Sequence, residues 1–273
     1  MTTDTGGSTT TRILAMRLGI MRDLGLPLAP GARVLDFGCG RGDLVAEMRQ
    51  HGFDTFGCDI ELWHNDSEAA SMEAAGLLRK IDLNNYVLPF PDNTFDVIFS
   101  DQVFEHVQNY PETIGELARV LKPGGFCLHV FPSRYTLIEP HLYVPLGSLF
   151  RFRAWLRFWA ALGVHNEYQG TESSKDGKTA KEIADFNYSF LRTQVNYLPK
   201  STLRREFRAR FDDVQFCERE FLKNSVRGKV IYHLSRLIPF IPALFSTFRT
   251  RVILTGRPIA QHQELAKPLR QSA

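Results

Sequence analysis

The segment Val34-Leu35-Asp36-Phe37-Gly38-Cys39-Gly40-Arg41-Gly42-Asp43 constrains this chain more than any other. An apolar run, Ala32 to Phe37, enters glycines at alternate positions. An amphipathic stretch, Gly42 to Gln50, leaves them with Leu44, Val45 and Met48 on its inner side. This order predicts strand, tight turn and helix. Glycine in the turn permits backbone conformations that a Cβ forbids and lets a ligand approach the main chain. The helix behind it presents free N–H groups at its first turn, and Gly52 stops that helix. The alternation then repeats. Asp54 to Asp59 reads as a strand, Asp66 to Leu78 as a helix rich in Ala and Glu, and Arg79 to Leu83 as a brief strand. Leu88 to Thr94 is turn chemistry. Phe95 to Ser100 is an apolar strand, Pro111 to Leu121 a helix closed by Lys122-Pro123-Gly124-Gly125, and Phe126 to Phe131 another strand. Strands and helices alternating over 32–131 predict a parallel sheet covered by helices on both faces, an α/β doubly wound architecture.

The flanks are organised differently. Residues 1–10 are Thr/Gly/Ser-rich and read as a tail, and 259–273 as a second tail. A helical pattern follows the first tail, with Ile13, Leu14, Met16, Leu18, Ile20, Met21 and Leu24, and ends at Pro27, Pro30 and Gly31. After Pro132 the rhythm breaks. Leu142 to Val164 is apolar and aromatic with interspersed arginines, Gly170 to Lys181 reads as a polar loop, Ser201 to Phe211 as a basic helix, and Val214 to Phe221 and Thr250 to Thr255 as late strands. We read one domain over 11–258 with an insertion at 133–200, after the fifth strand. The net charge of +3 is too small to argue for nucleic acid by itself. Lys200, Arg204, Arg205, Arg208 and Arg210 form a basic cluster, but Phe207 and Phe211 fit a core face better than base stacking. Cys39, Cys58, Cys127 and Cys217 are spaced too widely for a C-x-x-C pair. With no apolar targeting segment at the start, a reducing, cytoplasmic setting is expected.

Two ligand readings compete for the glycine loop. A dinucleotide fingerprint is G-x-G-x-x-G; Gly38 and Gly40 fit it, but the third position is Asp43, an acid that would repel a pyrophosphate. The pattern present is D-x-G-x-G-x-G. It resembles motif I of the class I S-adenosylmethionine-dependent methyltransferases (a methyltransferase type 11-like sequence). The likeness continues through Phe56-Gly57-Cys58-Asp59, Ile81-Asp82-Leu83, Phe95 to Ser100, Asp101 to Val107 and the Leu117 to Gly125 run. Asp59 follows Asp36 at close to the ~20-residue spacing at which a strand-end acid meets ribose hydroxyls. The resemblance implies a Rossmann-like, mostly parallel seven-stranded sheet of order 3-2-1-4-5-7-6 with strand seven antiparallel. It also implies a site for S-adenosylmethionine built from Asp36, Gly38, Cys39, Gly40, Gly42, Asp59, Ile60, Asp82, Leu83 and Asp101. Asp36 would hold the loop and the amino group, Asp59 the ribose, Ile60 the adenine face and Asp82 the adenine amino group. Each piece also has a plain structural reading: a tight turn, a solvated strand-end acid, a capping Asp82.

The implied reaction is in-line methyl transfer to a small-molecule, glycan or lipid-linked acceptor, in which a hydroxyl acceptor needs a base. The candidate bases are His106, which also reads as a structural histidine, and His141, which also reads as a loop histidine. Tyr135 and Tyr143 have less support. No metal is expected, because His64 and Asp66 are too few ligands. Leu146 to Val164, carrying Arg151, Arg153 and Arg157, and Val230 to Phe245 read as helices that either pack on the sheet or touch a membrane surface. Other readings stay open: a non-catalytic scaffold that binds S-adenosylmethionine, a nicotinamide-dependent oxidoreductase, and a nucleic-acid methyltransferase; on the main reading no nucleic acid partner is expected.

Overall fold

Parallel strands with short crossover helices bury both faces of a sheet, and β1 (Arg33–Phe37) shows the consequence. Val34 and Leu35 point to opposite faces, and both are fully buried. The computed structural model describes residues 9–63, 67–164, 178–226 and 228–258. Among them α1 (Thr9–Asp23) precedes β1, followed by α2 (Asp43–Gln50), β2 (Asp54–Asp59), α3 (Ser67–Ala74), β3 (Leu78–Lys80), β4 (Phe95–Asp101), α4 (Tyr110–Val120) and β5 (Leu121–Pro132). Then come α5 (Arg153–Ala161), α6 (Ala180–Thr193), α7 (Lys200–Arg208), β6 (Phe211–Phe216), α8 (Glu218–Asn224), α9 (Gly228–Leu237), α10 (Ile241–Phe248) and β7 (Thr250–Pro258). The seven strands lie in the order β3-β2-β1-β4-β5-β7-β6, as expected. All neighbours from β3 to β5 are parallel, while β7 runs antiparallel to both β5 and β6.

The two faces carry separate cores. On one, Leu35, Ile98, Cys127 and Ile253 meet Ile114 and Leu117 of α4 and Leu203 and Phe207 of α7. On the other, Val34, Val97, Phe99 and Leu128 meet Leu14, Ile20 and Met21 of α1. The segment after β5 builds a third, smaller core from Leu142, Val144, Leu156, Ala184, Leu191, Val195 and Tyr197. All four cysteines are free and buried.

Several element boundaries differ from the sequence reading. Thr9 and Thr10 belong to α1 rather than to a tail; the rest of that tail, the tail 259–273, His64, Asp66 and residues 170–177 lie outside the described residues. Leu78 opens β3 rather than closing a helix, because Gly76 (φ 71°) ends the turn after α3 and Leu78 then pairs with Gly57. Lys122-Pro123-Gly124-Gly125 lies inside β5 as an irregularity: pairing passes from Phe95–Leu121 to Val97–Phe126, with Gly124 at φ 81°. Phe211 starts β6 by pairing with Pro258. Phe221 is on α8, since acidic Glu218 and Glu220 favour a helix N-terminus after Cys217. The helix α6 has no counterpart in the sequence reading, although its capping box is complete: Thr179 Oγ1 accepts from Glu182 N and the Glu182 carboxylate accepts from Thr179 N.

Candidate active site

The carboxyl ends of β1, β2 and β4 open into a cleft of about 740 Å³, lined among others by Gly38, Gly40, Asp59, Ile60, Leu83 and His106. That is within the size range of small-molecule and cofactor sites, roughly 300–1,000 Å³. At the loop, Gly38 (φ 83°), Gly40 (φ 53°) and Gly42 (φ 84°) all adopt left-handed conformations. Gly38 N donates to Cys58 O at 2.8 Å and Gly42 N to Cys39 O at 2.8 Å. A Cβ on Gly38 would drive into Val103, and one on Gly42 would meet Leu78 Cδ1 at 2.8 Å. A Cβ on Gly40 would meet nothing within 4 Å, so there the protein leaves the backbone bare toward the cavity.

Asp59 connects the loop to the second strand. Its Oδ2 accepts from Gly40 N at 2.8 Å and its Oδ1 from Ile60 N at 2.7 Å. Burial raises its pKa, opposed by the N–H groups of Gly40, Glu61 and Ile60. Each carboxylate oxygen has two lone pairs, so Asp59 retains acceptor capacity toward the cavity it lines.

Other expected cofactor residues occupy supporting positions. The Cys39 side chain is 8% exposed and packs with Val45, Leu62 and Leu78. Gly42 is at the N-cap of α2. Asp82 is not at a strand end, because β3 stops at Lys80. Its carboxylate accepts from Asn84 N at 2.9 Å and Asn85 Nδ2 at 3.2 Å within a turn, with no helix there for it to cap. Ile81 and Leu83, on either side of it, face the cleft. Asp36 and Asp101 lie beneath the loop around Arg17 of α1, which the sequence reading missed. Arg17 Nη1 is 3.9 Å from Asp36 and Nη2 3.4 Å from Asp101. Burial pushes the Asp36 pKa to about 6, against the pull of Arg17 and with Asp101 and Asp59 adding to it. Asp43, the acid that argues against a pyrophosphate, pairs with Arg41 at 2.9 Å on the surface.

Of the two candidate bases, His106 lines the cleft, and His141 stands behind it with ring centroids 4.9 Å apart. His106 Nδ1 is 2.8 Å from the Gln194 carbonyl of the α6 C-cap, and a carbonyl only accepts, so Nδ1 carries the proton. Burial lowers the His106 pKa, so the ring is neutral with Nε2 unprotonated at physiological pH. His141 Nδ1 is 2.9 Å from Glu139 Oε1, and Tyr197 donates to the same oxygen at 2.6 Å. Glu139 also accepts from His141 N and Leu142 N and is held below the ordinary carboxylate pKa by His141, Tyr197 and Leu142. It is fully buried and ionised. Tyr135 is not among the residues lining the cleft, nor is Tyr143, whose side chain is exposed.

A seven-stranded sheet of this order, with its cleft above a bare glycine and a strand-end acid, defines the class I S-adenosylmethionine-dependent methyltransferase fold. Residues 12–210 match the methyltransferase domain family, and the chain belongs to it. It is similar to the sterol 24-C-methyltransferase of Schizosaccharomyces pombe, with 33% identity over 120 residues, covering 41% of this chain and 29% of that one. It is also similar to the demethylmenaquinone methyltransferase of Thermus thermophilus, with 36% identity over 106 residues, covering 38% of this chain and 48% of that one. The chain thus spans less than half the length of these curated relatives. Its fold resembles that of Haemonchus contortus phosphoethanolamine N-methyltransferase 2, at a TM-score of 0.50 and 14% identity, covering 93% of this chain and 53% of that one.

Proposed function

We propose that this protein transfers the methyl group of S-adenosylmethionine to a small-molecule or lipid-linked acceptor. The observation that carries the reading is Gly40, bare toward the cleft, beside the Asp59 carboxylate that lines the same wall. A larger residue at 40 would fill the cradle. Asp59 would accept from a ribose diol, Ile60, Ile81 and Leu83 would flank an adenine, and Arg17 with Asp36 would hold the loop from below. The bound sulfonium would supply an electrophilic methyl group. His106, neutral and lining the same cleft, presents Nε2 toward an acceptor bound there. Asp43 in the first turn of α2 weighs against a nicotinamide dinucleotide, even though Arg41 partly neutralises it.

The acceptor class is supported by exposed apolar surface on α5 and α9. The face of α5 opposite buried Leu156 and Ala160 leaves Phe158 52% exposed, with Phe152 and Leu162 also exposed beside it. Val230, Leu234, Leu237 and Phe240 of α9 and its turn are likewise exposed. No helix among the described residues is long and apolar enough to cross a membrane. Apolar faces carrying Arg157, Lys229 and Arg236 suit contact with a lipid surface. The sterol and menaquinone relatives are named for apolar substrates. The test is incubation of the protein with methyl-labelled S-adenosylmethionine and a cell extract, followed by phase partition. Label in the organic phase is expected. Label confined to the aqueous phase would remove the lipid-linked reading, and no transferred label would favour a scaffold that only binds the cofactor.

A further inference from the structure

Glu105, His106 and His141 converge beside the cleft, which His106 lines. One ligand-type atom of each lies within 4.8 Å of those of the others. The two imidazole rings have centroids 4.9 Å apart and stand nearly perpendicular, at 76°. Around a tetrahedral ion with donors at ~2.1 Å, the donors sit roughly 3.4 Å apart. The cluster therefore needs to close by only about 1 Å, a small side-chain rotation.

Three features of the surroundings point to a cation. Glu105 is 1% exposed, and neither carboxylate oxygen has a hydrogen-bond partner. A buried carboxylate in that state is either protonated or joined by a positive charge. The main chain holds it there: Asn196 N donates to Glu105 O at 2.6 Å, and Asn196 Nδ2 to Val107 O at 2.9 Å. Next, His106 donates from Nδ1 to a backbone carbonyl, which leaves Nε2 as its unprotonated nitrogen, and His141 donates from Nδ1 to a carboxylate. That arrangement orients a histidine toward a metal in carboxylate–histidine–metal relays. Last, Glu139 has its acceptor sites taken by His141, Leu142 and Tyr197, so it serves His141 as an outer partner.

We propose that Glu105, His106 and His141 bind one divalent transition-metal ion, and that the ion presents a hydroxyl-bearing acceptor to the methyl donor. Two imidazoles and one carboxylate leave coordination positions open and favour zinc, cobalt or manganese over magnesium. The acceptor half rests on the methyl-transfer reading above. A hydroxyl on the ion loses its proton to solvent at a lower pH than in water. The oxygen lone pair then forms the O–C bond to the methyl carbon. The C–S bond breaks with its electrons passing to sulfur, which leaves a neutral thioether.

The test is titration of chelator-treated full-length protein with Co²⁺, read by its visible d–d absorption and by thermal unfolding. S-Adenosylhomocysteine binding is measured in parallel. One Co²⁺ per chain, displaced by Zn²⁺, with a rise in Tm, is expected. Glu105→Gln removes a buried charge without changing shape, and His141→Gln provides a second variant. Each should weaken Co²⁺ at least about tenfold while binding S-adenosylhomocysteine like the wild type. Chelation should abolish label transfer by the wild type, and Zn²⁺ or Mn²⁺ should restore it. Failure of Co²⁺, Zn²⁺ and Mn²⁺ to bind more tightly than about 1 mM, or equal binding by both variants, would overturn the metal site. Chelation-insensitive transfer would overturn the acceptor role. Absent S-adenosylhomocysteine binding by the wild type would overturn the methyl-transfer reading and, with it, the acceptor role, while leaving the Co²⁺ result to decide the metal site.

Discussion

The glycine wall and the histidine wall of the cleft are supplied by the chain in different ways. Gly38, Gly40 and Asp59 come from consecutive strand ends and are tied through main-chain N–H groups, Gly38 N to Cys58 O and Gly40 N to the Asp59 carboxylate. A parallel sheet brings such residues together through strand order alone. The histidine wall draws on the turn after β4, the loop after β5 and the C-terminal end of α6. It is held by side chains instead: Glu139 on His141, Tyr197 on Glu139, Asn196 on the 105–107 turn. The first wall fails when its backbone conformation or the Asp59 carboxylate is changed. The second depends on a chain of buried polar contacts, each costly to leave half made.

The largest effect should come from the support beneath the first wall. Arg17→Met leaves Asp36 and Asp101 without their buried counter-charge, and breaking such a pair costs about 3–5 kcal/mol. Asp36 has a folded pKa of about 6, above its ordinary value of 3.8. The folded state therefore holds its proton more tightly, and the stability this group contributes is lost as pH rises through about 6. The Arg17→Met deficit should accordingly be larger at pH 8 than at pH 5. Adding Asp36→Asn should recover part of it, as read by urea unfolding. An equal deficit at both pH values would show that Arg17 acts only by packing.

A pair of glycine variants separates fold from binding. Gly38→Val combines a left-handed residue with a clash against Val103 and should cost about 2–5 kcal/mol. Gly40→Val has open space inside the protein and should cost only about 1–2 kcal/mol, from its backbone conformation. It should nevertheless abolish measurable S-adenosylhomocysteine binding. Retained binding in folded Gly40→Val would place the cofactor elsewhere.

The smallest effect concerns the second wall. His106 offers its Nε2, to an ion or to an acceptor's proton, only when neutral, and burial lowers its pKa below the ordinary 6.5. The rate of methyl transfer should therefore hold through neutral pH and fall only as pH drops below about 6.5. His106→Gln should remove that acid limb. A limb unchanged in the variant would assign it to another group.

The unequal legibility of the two walls follows from their construction. Val34 to Asp43, Asp59 and the strand order were readable because the fold uses local sequence, with a continuous buried run in β1 and glycine at each left-handed position of the 38–42 loop. Asp82 was misplaced because the third strand ends early and its carboxylate turns back to Asn84 and Asn85. Arg17 was hidden because its partners lie on β1 and β4, and its helix gives no sign of which residue points inward. The meeting of His106 with His141, Glu105 and Glu139 depends on where the chain returns after β5. The helix α6, which closes that wall through Gln194, was signalled only by the Thr179–Glu182 capping box.

The central claim is that the cleft above Gly40 holds the cofactor through Asp59. Calorimetric titration of S-adenosylhomocysteine into the wild type and Asp59→Ala tests it most directly. Losing hydrogen bonds to a charged group is worth about 1.5–3 kcal/mol, so the variant should bind roughly ten- to a hundredfold more weakly with its Tm nearly unchanged. Equal affinity in the two proteins, or no binding by the wild type, would contradict the account.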